Sequence, residues 1–162
     1  MMSPKKVGLT CINETNIIIL SYPIKKIFEV CMVHITPNWI DNLADNEIFV
    51  FGSNLAGQHS GGAARLALKW GAVMGQGVGI QGKTYAIPTM FSNTADIKPY
   101  VDEFINYAKV NPEMVFLVTE IGCGIAGFTP KNIAPLFKQV AVEQIDNISL
   151  PKRFMDELSH LS

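Results

Sequence analysis

Charge is scarce in this chain. Asp, Glu, Lys and Arg make up 17% of its 162 residues and nearly cancel, 13 basic against 14 acidic. A usual globular share is about 25%, so the deficit argues against disorder and for a large core. A net charge of −1 supplies no general basic face for duplex DNA. Cysteine is sparse too. Cys11, Cys31 and Cys123 form no C-x-x-C pair, and an odd count does not build a disulfide framework; a reducing, cytoplasmic setting is expected. No apolar run approaches the roughly 18 residues of a membrane span. Lys5 and Lys6 precede a stretch broken by Asn13, Glu14 and Asn16, a poor match to a secretory leader. No membrane or duplex partner, no metal and no cofactor is expected. The length favours one domain at roughly 150 residues per domain. Such a chain can bury about 68–70% of its unfolded surface unaided.

Glycine, by contrast, is concentrated. Twelve of the 13 glycines lie between Gly52 and Gly127, in groups at 52–62, 71–82 and 122–127. Glycine lets backbone approach a ligand closely and adopt positive φ. Residues 1–34 read as a separate extension with two β-rich runs, Asn16–Tyr22 and Ile27–Val33. Three roles stay open for it: extra strands, an oligomer contact, or sequence upstream of a start at Met32.

Residues 35–162 read as strand, loop and helix in alternation. A short helix is predicted over Asn38–Leu43. Ile48–Phe51 is a continuous apolar run, which suits a strand buried on both faces of a parallel sheet. Ala63–Trp70 is predicted as a helix closed by Gly71, and Thr84–Ile87 as a strand stopped by Pro88. Ile97, Tyr100, Val101, Phe104, Ile105 and Ala108 make one apolar face of a helix over 96–110. Val115–Val118 is a second buried strand, running on to Ile121. Thr129-Pro130 opens a helix to about Ile145, with Pro135 distorting its first turns. Ile148–Leu150 is a last strand, and an amphipathic helix carrying Phe154, Met155 and Leu158 follows. The order predicts a three-layer α/β/α domain with a mixed, mainly parallel sheet.

Two stretches match G-x-G-x-x-G. Gly77–Gly82 has a helix before it and a strand after, the reverse of a dinucleotide site. Gly122–Gly127 has the right context, strand in and helix out, so its free N–H groups suit a phosphate. No acidic residue follows to hold a ribose, and too little chain remains for a doubled βαβ sheet, which excludes an NAD-linked dehydrogenase. The loop Gly52–Gly62 leaves the carboxyl end of another strand, where ligands of open α/β sheets bind. Two such loops at one sheet edge could hold the two ends of a diphosphate ligand. The competing reading is a structural or interaction protein whose glycine loops are only turns.

Glu47-Ile-Phe-Val-Phe-Gly-Ser-Asn54 with Gly61-Gly62-Ala63 resembles the opening of macro domains, the ADP-ribose-binding modules. Ile121-Gly-Cys-Gly-Ile-Ala-Gly-Phe128 resembles their phosphate-gripping loop, closest to the terminal ADP-ribose protein glycohydrolase branch. The resemblance runs from about Ile35 to Phe154, and extends to small bacterial and phage proteins with F-G-S-N-L-A-G and I-G-C-G motifs. It implies a small nucleotide ligand of the ADP-ribose kind. Glu47 falls where the family has an adenine-binding Asp. Within the first motif, Gly52 and Ser53 precede Asn54, which falls on a ribose-contacting Asn. Gly61 and Gly62 fall on the glycines at the distal ribose. Gly122 and Cys123 open the second loop; Gly124, Ile125, Ala126, Gly127 and Phe128 fall on the diphosphate segment, with the aromatic near the distal ribose. Two carboxylates of hydrolytic members are replaced, by Ala64 and Ala126, and Lys83 is a few residues from the branch's Lys. The resemblance thus implies binding more strongly than hydrolysis of an ADP-ribose derivative.

For chemistry, the remaining catalytic candidates are Asn54, to orient a water, and His59, to deprotonate it; an exposed loop histidine is the plainer reading of His59. Cys123 among glycine N–H groups is either a thiol of lowered pKa or a small filler of a tight turn. Gln76, Gln81 and Lys83 either line the pocket mouth or sit in a solvated loop. His34 and His160 have no evident partner, and Trp70 and Tyr107 suit packing.

Overall fold

The computed structural model describes residues 9–13, 16–20 and 34–161. The chain divides into two units, Met1–Val33 and His34–Ser162. In the first, β1 (Leu9–Asn13) pairs antiparallel with β2 (Asn16–Leu20), Leu9 opposite Leu20. Only the second of these strands is anticipated by the sequence; the run Ile27–Val33 and Met32 lie outside the described residues.

The second unit is an α/β fold built on a six-stranded sheet. Its strands are β3 (Ile35–Thr36), β4 (Glu47–Ser53), β5 (Gly79–Gln81), β6 (Thr84–Pro88), β7 (Val115–Val118) and β8 (Ile148–Pro151), in spatial order β3-β8-β7-β4-β6-β5. All neighbours are parallel except β5, which runs antiparallel to β6. Consecutive strand residues point to opposite faces, and β4 serves both. Ile48 and Val50 join one apolar cluster, Phe49 and Phe51 another. The larger cluster takes in Phe104, Ile133, Phe137 and Phe154; the smaller takes in Ala64, Ala67 and Ala86. Phe104 sits fully buried between the rings of Tyr85 and Phe116, at centroid distances of 5.1 and 5.4 Å. Each such pair adds about 0.5–1.5 kcal/mol beyond burial, which stiffens the strands whose ends carry the loops.

The helices follow the predicted punctuation with three differences. Helix α1 (Gly62–Ala67) runs into a 3-10 turn, Leu68–Trp70, and Gly71 closes it in the left-handed conformation, φ +103°. Helix α2 (Lys98–Val110) buries Val101, Phe104, Ile105 and Ala108. The helix predicted over 130–145 is broken. Helix α3 (Pro130–Ile133) gives way to a 3-10 segment at Ala134–Phe137, and α4 (Lys138–Val142) ends three residues early. Pro135 has no N–H for an α-helical bond, and it sits at the start of the 3-10 segment. Helix α5 (Lys152–Ser159) buries Phe154 and Leu158.

The helix predicted over Asn38–Leu43 does not form; the segment is irregular. Its carbonyls are claimed from outside: Lys69 donates to Asp41 O at 2.7 Å, and Lys83 to Leu43 O and Ala44 O at 3.3 and 2.7 Å. Two ammonium groups thus replace helical N–H donors. Strands β3 and β5 are also unforeseen; Gly79-Ile-Gln81 carries no strand signature until β6 offers an edge to pair with.

Candidate functional site

β4 and β7 are adjacent and parallel, so the loops after them leave the same edge of the sheet. Between these loops lies a cleft of about 550 Å³. Its walls include Gly52, Ser53 and Asn54 at the end of β4, Gly61 and Gly62 at the start of α1, and Gly122, Gly124, Ile125 and Ala126 after β7. The two loops approach each other closely. A methyl group at Gly52 would lie 3.3 Å from Gly122 N, and one at Gly61 would touch Ile125 Cδ1 at 3.4 Å.

The second loop is closed on itself. Phe128 N–H donates to Gly122 O at 2.9 Å and Gly127 N–H to Gly124 O at 3.0 Å. Gly122 supplies the positive φ, +72°, that turns the chain out of β7. The N–H groups of Gly124, Ile125 and Ala126 donate to no acceptor among the described residues. On the facing wall, Gly62, Ala63 and Ala64 open α1, where N–H groups have no partner in the preceding turn. The cleft therefore presents backbone donors from both sides and suits an anion.

The first loop is held by a polar belt that begins at the cleft wall. Asn54 accepts from Gln58 N–H and donates to Gln58 O, both at 2.9 Å. The Ser53 hydroxyl, buried, donates to Gly77 O. The Gln81 amide donates to Gln76 O at 3.0 Å and accepts from Val73 N–H at 2.7 Å. Gly77 must be glycine here, because a Cβ would lie 1.9 Å from Asn54 O.

Several expected site residues lie elsewhere. Glu47 begins β4, six residues and so about 20 Å before Ser53 at ~3.3 Å per residue, and does not line the cleft. Its carboxylate accepts from Ala44 N–H at 2.8 Å and shapes the turn into the strand. His59 is 1% exposed, not an exposed loop residue, and does not line the cleft. Its ring meets Phe51 edge-on at 5.1 Å, Nε2 lies 3.1 Å from Gln76 O, and Nδ1 is buried without a hydrogen-bond partner among the described residues. Asn54 lines the cleft, but its side-chain amide is engaged within its own loop. Neither catalytic candidate stands ready to activate a water. Phe128 packs against the larger apolar cluster, as does Cys123. The Cys123 thiol is pushed up to about 11 by burial and then by the nearby Glu120 charge, partly opposed by Arg153. Of the two readings of Cys123, the raised pKa and the packing against the apolar cluster support the filler of a tight turn over the activated thiol. Lys83 and Gln81 serve the loops described above and do not line the cleft.

Other lining residues carry no signal in the sequence. Thr89 and Met90 follow β6, the strand on the other side of β4, and reach the same edge because it too is parallel. Glu120 follows β7. A second cavity of about 590 Å³ adjoins the cleft and shares Gly62, Ala63, Thr119 and Glu120 with it. Apolar and half-apolar side chains line it, among them Trp39, Ile40, Phe49 and Leu66. Trp39 is 80% exposed, its indole N–H donating to Asp41 Oδ1 at 2.7 Å.

Comparison with family models, curated proteins and solved structures returned no match. Among the described residues, no three His, Cys, Asp or Glu side chains gather to hold a metal, and no helix is long and apolar enough to cross a membrane.

Proposed function

We propose that the cleft binds a nucleoside diphosphate of the ADP-ribose kind, in a macro domain-like arrangement of layers. The observation that carries this reading is the pair of facing loops with unpartnered N–H groups, at Gly124–Ala126 and at the opening of α1. Such donors complement phosphate oxygens without a cationic side chain. The apolar cavity alongside, with exposed Trp39, offers a flat surface for an aromatic base. The two cavities adjoin, so one ligand can occupy both.

The reading is binding rather than hydrolysis. Ala64 and Ala126 both line the cleft where hydrolytic relatives of the resembled family carry carboxylates. General acid–base catalysis requires a titratable group within hydrogen-bond reach of the transferred proton; His59 does not line the cleft, and the carboxylate that does, Glu120, is paired with Arg153. Calorimetry with ADP-ribose, ADP and AMP tests the proposal. ADP-ribose and ADP should release heat and saturate, with AMP weaker for want of the second phosphate. No heat from any of the three would leave the glycine loops as turns and the protein as a structural or interaction module.

A further inference from the structure

Among the described residues, Glu120 is the only ionisable side chain lining the cleft, and it also lines the apolar cavity. It stands on the wall the two share. Its Oε2 accepts from Arg153 Nη1 at 2.8 Å, while Oε1 accepts no hydrogen bond among the described residues. The side chain is 36% exposed. A bare carboxylate here would repel a diphosphate, but the guanidinium of Arg153 offsets its charge. What remains is one strong acceptor at the boundary between an apolar cavity and a cleft of N–H donors.

That order of surfaces has a chemical counterpart. An apolar wall suits a base, an N–H-lined wall suits phosphates, and the group covalently between them in a nucleotide is the ribose, with two hydroxyl donors. A carboxylate accepting from ribose hydroxyls is an established device for holding a nucleotide sugar. Asp41 also lines the apolar cavity, but not the cleft, and it already accepts from the Trp39 indole. We infer that Glu120 selects the sugar: its free carboxylate oxygen accepts hydrogen bonds from the ribose hydroxyls adjoining the base, so the site prefers ribonucleotides to their deoxy counterparts. This rests on the nucleotide reading above.

The test is calorimetry of the full chain with ADP and with dideoxy-ADP, which lacks both ribose hydroxyls. A charged hydrogen bond is worth about 1.5 kcal/mol or more, so the parent should bind ADP about tenfold tighter or better. Glu120→Ala should bring the two affinities within about twofold of each other, because the hydroxyl contact is lost, while release of Arg153 from its ion pair shifts the binding of both nucleotides alike. Glu120→Gln keeps the side-chain shape and one neutral acceptor. If Glu120→Ala fails to fold, a fall in the preference of about threefold or more in Glu120→Gln supports the assignment. Equal binding of both nucleotides by the parent overturns it, and so does an undiminished preference in a folded Glu120→Ala or, failing that variant, in Glu120→Gln. Binding of neither nucleotide to the parent removes the nucleotide reading itself, a result distinct from loss of sugar selection.

Discussion

Two glycines two residues apart separate steric from conformational need. Gly77 has a Cβ position 1.9 Å from Asn54 O, where real contacts do not fall below 3.0 Å. In Gly77→Ala the backbones must part by about 1.1 Å, the difference between those two distances. The Ser53 hydroxyl donates to Gly77 O from a buried position, and that bond does not survive such a movement. A buried hydrogen-bonding group left without its partner costs about 1–3 kcal/mol. Disturbance of the loop turn closed by Gly57 N–H on Asn54 O, at 2.9 Å, adds to this. A net loss of about 2–4 kcal/mol is expected, a large share of a usual 5–15 kcal/mol. Gly75 is the control. Among the described residues nothing lies within 4 Å of its Cβ position, but its φ is +89°. Gly75→Ala should cost only the left-handed penalty, about 1–2 kcal/mol. Urea unfolding followed by tryptophan fluorescence measures both. A Gly77→Ala midpoint no lower than that of Gly75→Ala would refute the argument that loop 54–58 is locked against Gly77.

Two other outcomes follow from where side chains lie. Glu47→Ala should leave nucleotide affinity within about twofold of the parent by calorimetry, and should cost about 1 kcal/mol through the lost bond to Ala44 N–H; a tenfold loss of affinity would return Glu47 to the site. Cys123 titrates near 11 in the folded protein, above its ordinary 9.0. The folded state therefore holds the proton more tightly, so this contribution to stability is whole below about pH 9 and is lost as pH rises through 11. In a background with Cys11 and Cys31 changed to Ser, iodoacetamide should modify Cys123 at pH 8 far more slowly than free cysteine, and Cys123→Ser should flatten the alkaline fall in stability; alkylation as fast as free cysteine would refute the burial of this thiol.

The elements whose residues repeat a period are legible in the amino-acid pattern itself. Ile48–Phe51 and Val115–Val118 announce buried strands because both faces need apolar side chains, and the face of Val101, Phe104, Ile105 and Ala108 announces α2. Pro135 breaks its helix because a missing N–H is a local property. That both glycine loops leave one sheet edge is also inferable, since parallel strands end on the same side. The roles of single side chains are not. Glu47 lies next to a motif in sequence yet at the other end of its strand, because a strand carries neighbours apart at a fixed rise. The irregular path of 38–43 depends on Lys69 and Lys83, 28 and 39–40 residues from the carbonyls they hold. His59 is buried by Phe51 and by Gln76 from the central glycine segment, and Glu120 meets Arg153 across 33 residues. Local patterning determined the central strands β4, β6, β7 and β8, the helix α2 and the glycine loops, because those follow from backbone conformation and the side of a sheet or helix that must be dry. Only the tertiary structure decided which side chains face the cleft, because exposure and partnership arise from chain segments that meet without being near in sequence.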